Sequence, residues 1–209
     1  MIKILKKKLK PRIKARIRKG KQILKKKLRP RIKARIRKNK QILDQNIGNF
    51  FDWIKGADLV ELKKINTEED PVRPHLSNDF RRGFGRKIFG VIYQGEIHAV
   101  MCFAYTNEIP KSVEDLEKMS HDAYLQSALR DQNIGKIAVA YTVWSKKKGG
   151  GKLIVKEVFK KIKKSNHLNR LVTLSPLTEM ATKFHNKNGA KLIQINETTQ
   201  NFEYEVIKK

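Results

Sequence analysis

No acidic residue occurs in the first 43 positions of this chain; the first carboxylate is Asp44. The same stretch contains no aromatic residue and no serine. Without carboxylates its charge has no internal counterion, so the segment belongs in water or against a polyanion, not in a core. Without aromatics it offers no ring on which a base could stack. The whole chain has one cysteine, Cys102. That excludes an internal disulfide and favours a reducing compartment. No apolar run approaches the roughly 18–20 residues of a membrane span. The N-terminus lacks the unbroken apolar core of a secretory signal, and its want of serine and excess of lysine argue against a mitochondrial presequence. His75, His98, His121 and His167 show no metal-ligand spacing, so no metal is expected.

What the first 43 residues do hold is 21 Lys or Arg, in a tandem repeat. Residues 4–22 and 23–41 differ only at Lys10/Arg29 and Gly20/Asn39, and a third copy begins at Ile42-Leu43. The chain carries 48 basic and 20 acidic residues, and outside the arm the balance falls to 27 against 20. The sequence therefore divides into a basic arm (1–43), a junction (44–56) that Phe50, Phe51 and Trp53 are expected to dock, and a body (57–209) long enough for one domain with a sizeable core. In each repeat Pro11 or Pro30 interrupts the helical spacing of Ile and Leu. The following Ile13, Ala15 and Ile17 (Ile32, Ala34 and Ile36 in the second copy) fit a strand or a helix face equally.

Such an arm is expected to bind nucleic acid by neutralising phosphates, strongly, with little sequence preference and with steep salt dependence. The candidate contacts are Lys6, Lys7, Lys8, Arg12, Arg16 and Arg18 in the first copy. Their counterparts in the second are Lys25, Lys26, Lys27, Arg31, Arg35 and Arg37. An anionic membrane is the weaker rival partner, because the arm has no Trp or Phe anchor and prolines break its apolar face.

The body alternates between strand and helix signals. A strand is expected at 57–65, short helices within 66–87, and a hairpin of strands 88–93 and 97–105 around Gln94-Gly95. Residues 110–133 have helical character. KIAVAYTVW at 136–144 reads as a central strand, followed by SKKKGGGK and an amphipathic helix at 153–164. A strand at 168–174, a helix at 177–188 ended by Asn188-Gly189, and strands at 191–196 and 201–207 complete the chain. This order predicts an α/β domain with a mixed sheet of about six to seven strands flanked by helices.

VWSKKKGGGKLI at 143–154 resembles the acyl-CoA-binding turn of the GNAT acetyltransferase superfamily, R/Q-x-x-G-x-G/A between a strand and the next helix. Lys146, Gly149 and Gly151 fall on the patterned positions, with Lys in place of Arg or Gln. Glycines let backbone N–H groups approach a pyrophosphate, and a helix N-terminus favours an anion. TEMATKFHNKNGA at 178–190 is similar to a second motif of the same superfamily. Ala181 and Gly189 match it, Thr178 stands where Asn is common, His185 where a Tyr general acid is common, and Ala190 replaces Phe. The resemblance covers about 57–207. It implies a GNAT fold and an acetyl-CoA or other acyl-CoA cofactor held by Val143, Lys146, Lys148, Gly149, Gly150, Gly151, Lys152 and Thr178. It further implies transfer of an acetyl group to an amine acceptor, with His185 as candidate acid, since imidazole titrates near neutrality. Two narrower resemblances accompany it. The spacing from Gly189-Ala190 to Phe202 resembles the GNAT-like internal virion proteins of T7-like phages. LVTLSP at 171–176 resembles the C-terminal domain of malonyl-CoA decarboxylases.

Other candidates weigh less. Glu108, Asp131 and Glu179 are available as a general base, but no spacing selects among them. Ser175 is expected to cap the following helix, as Ser-Pro often does, or to touch a pantetheine arm. Cys102 and Trp144 are expected in the core. The leading expectation is an acyl-CoA-binding N-acetyltransferase with a nucleic-acid-binding arm. It would act in the cytoplasm, or in a virion and host cytoplasm if phage-encoded. The alternative is a catalytically silent structural protein of packaged nucleic acid or a ribonucleoprotein.

Overall fold

A computed structural model describes residues 32, 34–43, 45, 50, 52–130 and 135–205. The arm contacts expected at Lys6, Lys7, Lys8, Arg12, Arg16, Arg18, Lys25, Lys26, Lys27 and Arg31 lie outside the described residues, as do Phe51 and Asp131. The chain divides into two units, Met1–Lys55 and Gly56–Lys209. Every described residue of the first is helical, which resolves the second repeat's ambiguous Ala34–Ile36 stretch as helix. Arg35 and Arg37 are exposed there, and the rings of Phe50 and Trp53 lie 5.8 Å apart.

The second unit is built on one eight-stranded sheet. Strand β1 (Asp58–Leu62) leads through a 3-10 turn (Thr67–Glu69), helix α1 (Asn78–Arg82) and a second 3-10 turn (Gly83–Gly85) to β2 (Lys87–Tyr93) and β3 (Glu96–Thr106). Helix α2 (Val113–Arg130) precedes β4 (Ile137–Ser145), and α3 (Gly150–Lys163) precedes β5 (Arg170–Thr173) and β6 (Ser175–Pro176). Helix α4 (Glu179–Lys187), β7 (Lys191–Ile195) and β8 (Thr199–Tyr204) follow. The sheet order is β1-β2-β3-β4-β5-β8-β6, with β7 paired to β8. One pairing, β4 with β5, is parallel. The expected six to seven strands become eight through β6, which at two residues is too short to leave a pattern.

Local chemistry explains the layout. The β2–β3 hairpin turns at Gln94 and Gly95, both at positive φ (52° and 81°), as a tight hairpin of this twist requires. Strand β4 is apolar along its length and buried at most positions, as expected of a central strand covered on both faces. Helix α3 buries Leu153, Ile154, Val155, Val158 and Ile162. The core also gathers Ile88, Val100, Cys102, Leu116, Val139, Tyr141, Val172 and Leu174.

Two features of β4 prepare a site. Its register against β3 steps from Cys102↔Thr142 to Phe103↔Ala140, which leaves Tyr141 as an extra, bulged residue. Its pairing with β5 runs from Ile137↔Arg170 to Ala140↔Thr173 and closes with Leu174 N donating to Ala140 O at 2.9 Å. Beyond that rung β4 continues to Ser145, while the other strand departs into β6 to pair with β8. The strands fork, and the fork opens a cleft.

Candidate active site

The cleft has a volume of about 480 Å³. One wall is β4 from Ala140 to Ser145; the other includes Thr173, Ser175, Pro176, Thr178, Phe184, His185 and Tyr204, with Pro71 and Val72 along the rim. Gly151 at the start of α3 lines one end. Among the described residues, its titratable lining side chains are His185, Tyr141 and Tyr204.

Ser175, His185 and Tyr204 form a buried hydrogen-bonded chain. Ser175 Oγ lies 2.7 Å from His185 Nε2, and His185 Nδ1 lies 3.0 Å from Tyr204 Oη. Ser175 Oγ also donates to Thr173 Oγ1 at 3.2 Å. One imidazole proton serves both ring contacts. Carried on Nε2, it donates to Ser175, whose own proton goes to Thr173, while Nδ1 accepts from Tyr204; carried on Nδ1, both directions reverse and Ser175 instead accepts from Thr173. The ring stacks on Phe202 at 4.9 Å and meets Phe184 edge-on at 5.1 Å. Burial among these rings pulls the imidazole pKa down to about 4, so His185 is neutral at physiological pH. His185 was expected as a general acid titrating near neutrality, and this desolvation disfavours its protonated form. A neutral imidazole can relay a proton but does not start with one to spare. Burial likewise raises the Tyr204 phenol above its ordinary range.

This burial makes stability pH-dependent. The unfolded chain takes up a proton on His185 below its ordinary pKa of 6.5, while the folded chain resists until about 4. Stability is therefore lost as pH falls through that window and is unaffected above it. From pH 7 to pH 5 the expected loss from this group is about 2 kcal/mol. Urea titration of wild type and His185→Gln at both values tests this. The wild type should lose about 2 kcal/mol more than the variant, and equal losses would show the imidazole to be solvated.

The remaining expected site residues separate. Val143, Gly151, Thr178 and His185 line the cleft; Lys146, Lys148, Gly149, Gly150 and Lys152 do not. Thr178 is the N-cap of α4, its Oγ1 accepting from Ala181 N at 3.3 Å. Capping thus falls to Thr178 and not to Ser175, because Ser175 is drawn into β6 and faces the imidazole. Lys146 Nζ lies 2.6 Å from Glu69. Gly149 adopts φ 87°, which requires glycine, and as N-cap of α3 it offers no side chain to the helix; Gly150 N donates to Lys147 O at 2.9 Å, so an anion would meet the N–H groups that follow it. Gly150 and Gly151 allow close packing. A Cβ on Gly150 would come within 3.1 Å of His98 O, and one on Gly151 within 3.0 Å of the Phe184 ring. Glu179 pairs with Lys183 on the surface. Cys102 is buried, its thiol pushed up to about 11 chiefly by burial, as suits a core residue and not a nucleophile. Among the described residues no cluster of three or more His, Cys, Asp or Glu gathers.

Sequence reasoning missed the Ser175–His185–Tyr204 chain and a second buried network, Asp70–Arg73–Arg81–Thr142. The available signals for the first were the separate motifs that single out Ser175 and His185; nothing local joins side chains 10 and 19 positions apart. The second had none, because its charged residues lie in a polar stretch between strands.

No protein-family model matches this sequence, and no curated protein does. Solved structures do. The chain is similar to the GphF GNAT-like decarboxylase in complex with isobutyryl-CoA, at 9% identity and a TM-score of 0.55, over 72% of this chain and 100% of that one. A Bacillus subtilis acetyltransferase in complex with CoA matches at 11% identity and a TM-score of 0.49, over 72% and 98%. Malonyl-CoA decarboxylase from Cupriavidus metallidurans matches at 17% identity and a TM-score of 0.44, over 69% of this chain and 38% of that one. This chain thus spans well under half of that decarboxylase. The fold of the second unit is the GNAT fold.

Proposed function

We propose that the second unit binds an acyl-CoA in the β4/β5 cleft and removes CO2 from a β-carboxyacyl thioester of the malonyl type. The observation that carries this reading is the buried Ser175–His185–Tyr204 chain facing an apolar cleft. The shared fold of a GNAT-like decarboxylase solved with isobutyryl-CoA supports it. The thioester would lie along β4 beyond the bulge, near Val143, with its pyrophosphate at the N-terminus of α3. In the reaction the bond from Cα to the carboxylate breaks. Its electron pair passes to the thioester as an enolate, and CO2 leaves. Cα then takes a proton from Ser175 Oγ, His185 Nε2 passes its proton to Ser175 as Nδ1 takes one from Tyr204 Oη, and water reprotonates the phenol, supplying the net proton. A neutral imidazole suits this chemistry. An imidazolium would pair with the substrate carboxylate and stabilise the ground state, whereas an apolar cleft favours the delocalised enolate over the localised carboxylate.

Acetyl transfer to an amine is the second reading, favoured by the same neutral imidazole, which can accept the amine's proton through Ser175. The two separate in one assay. The full chain is incubated with malonyl-CoA, and separately with acetyl-CoA plus a panel of amines. Acetyl-CoA and CO2 formed without release of free thiol support decarboxylation. Free CoA thiol formed only with an amine supports transfer. Neither product, with no acyl-CoA binding at millimolar concentration, leaves the catalytically silent protein of packaged nucleic acid.

Gly151 offers an independent handle on binding. Gly151→Leu is expected to weaken acyl-CoA affinity at least 10-fold, because its side chain must displace Phe184 and enter the cleft end. Calorimetric titration in high salt, where the arm's attraction for anions is screened, checks this. Unchanged affinity would mean the cofactor lies elsewhere.

The arm is proposed to bind nucleic acid through its uncompensated Lys and Arg residues. Arg35 and Arg37, exposed on a helix, are described examples. Phosphate neutralisation needs no more than such a display.

A further inference from the structure

At the fork, the next carbonyl on each strand is taken by one side chain. Arg73 Nη1 donates to Tyr141 O on β4, and Nη2 donates to Leu174 O, at the end of β5, at 3.1 Å. Tyr141 is the bulged residue, and Leu174 immediately precedes Ser175. A single planar guanidinium therefore occupies the place where the parallel ladder stops, gripping both walls of the cleft behind their last shared rung.

We infer that Arg73 is a positioning residue. It fixes the separation of β4 and β5 at the fork and thereby holds Ser175 against His185.

Arg73 is itself held from several sides. Asp70 Oδ1 accepts from Arg73 N at 3.1 Å and from Val72 N at 2.9 Å. Arg81 Nη2 donates to Arg73 O at 2.7 Å and to Asp70 Oδ2 at 2.8 Å. Thr142 Oγ1 donates to Asp70 Oδ2 at 3.1 Å, tying the assembly to β4 just past the bulge. All four residues are buried. Arg81 pairs its guanidinium with Asp70, whereas Arg73 meets that carboxylate through its backbone N–H. A side chain needed only to fill space would be apolar, since burying a cation that its neighbours do not neutralise is costly. What the charge secures is two charge-assisted bonds of fixed spacing, which a planar fork supplies and an ammonium cannot. The grip acts one peptide away from Ser175. A loosened fork moves the hydroxyl, and an ångström of misplacement in a catalytic pair costs on the order of 100-fold in rate.

The catalytic consequence rests on the proposed reaction, whereas the geometric one does not, and the test keeps them apart. Full-length wild type, Arg73→Lys and Arg73→Ala are compared in three ways. Steady-state kinetics with malonyl-CoA give kcat and KM. Calorimetry in high salt gives acyl-CoA affinity, and NMR of the His185 imidazole nitrogens reports its bond to Ser175. Arg73→Lys keeps the charge and is the variant expected to fold. It should lose about 100-fold in kcat with KM changed less than about 3-fold, and its His185 Nε2 resonance should shift. Millimolar guanidinium should restore part of the rate of Arg73→Ala, and a general loss of structure would not respond in this way. Wild-type kcat and an unmoved His185 resonance in Arg73→Lys would overturn the inference. If wild type releases no CO2, the proposed reaction fails and the imidazole resonance alone decides the role of Arg73: a shift sustains the positioning role and no shift ends it.

Discussion

Ser175→Ala is expected to abolish CO2 release from malonyl-CoA, with kcat lowered at least 100-fold and acyl-CoA affinity nearly unchanged. A positioned proton donor contributes roughly 10²–10⁴-fold, and Ser175 is the hydroxyl at one end of the buried chain and lines the cleft. Removing its hydroxyl deletes the proton source for Cα and leaves His185 Nε2 without its 2.7 Å partner. The fold should tolerate this better than a loss at the imidazole, which also contacts Tyr204 and stacks on Phe202. His185→Ala should match the kinetic loss and add a fall in stability. Tyr204→Phe should cost less, because its phenol touches the far nitrogen. The graded order Ser175 ≈ His185 > Tyr204 is the signature of a relay. Its pH dependence is equally specific. With the imidazole neutral down to about 4, the rate should show no inflection near the ordinary histidine value of 6.5. An inflection there, or an unaltered kcat in Ser175→Ala, would place the chemistry elsewhere in the cleft.

What the sequence disclosed and what it hid follow from the range of the interactions. The β2–β3 hairpin and β4 were legible because a tight turn and an unbroken apolar run are local. Helix α3 was expected to begin at Leu153, since glycine disfavours helices, yet it begins at Gly150. The cause is tertiary, because only a residue without a side chain lets the helix approach His98 and Ser145 so closely. Ser175 was read as a cap by the local Ser-Pro rule. The neighbouring Thr178 serves as the cap, and Ser175 answers to a histidine ten residues away. The grip of Arg73 on Leu174 joins positions 101 apart, in a polar segment with no periodicity to mark it. The walls of the cleft could be read from pattern, and His185 from a resemblance, but the hydrogen bonds that join it to Ser175 and Tyr204 could not.

Deleting residues 1–43 is expected to remove nearly all affinity for nucleic acid while leaving acyl-CoA binding intact. The deletion removes 21 positive charges and no acid, and what remains is close to ordinary in charge balance. Each phosphate neutralised contributes about 0.9 to the slope of log affinity against log salt on duplex DNA. Engagement of even half the arm's cations predicts a slope near −9 for the full chain, against about −1 or less for the deletion. Affinity measured between 50 and 200 mM salt on duplex DNA and on single-stranded RNA of mixed sequence supplies both numbers. Near-equal binding of unrelated sequences is expected, since an arm without aromatics offers no ring on which bases could stack. A tandem repeat sharpens the test. Removing one copy should roughly halve the slope if the copies act as equivalent charge displays, whereas an all-or-none loss would mean that they fold together on the ligand. Vesicles of anionic lipid serve as the competing target. If they retain the full chain at salt concentrations that release it from DNA, the arm is a membrane anchor and the nucleic-acid assignment fails. If DNA outlasts the vesicles, the nucleic-acid assignment stands, and the arm tethers the GNAT-fold unit to a polyanion.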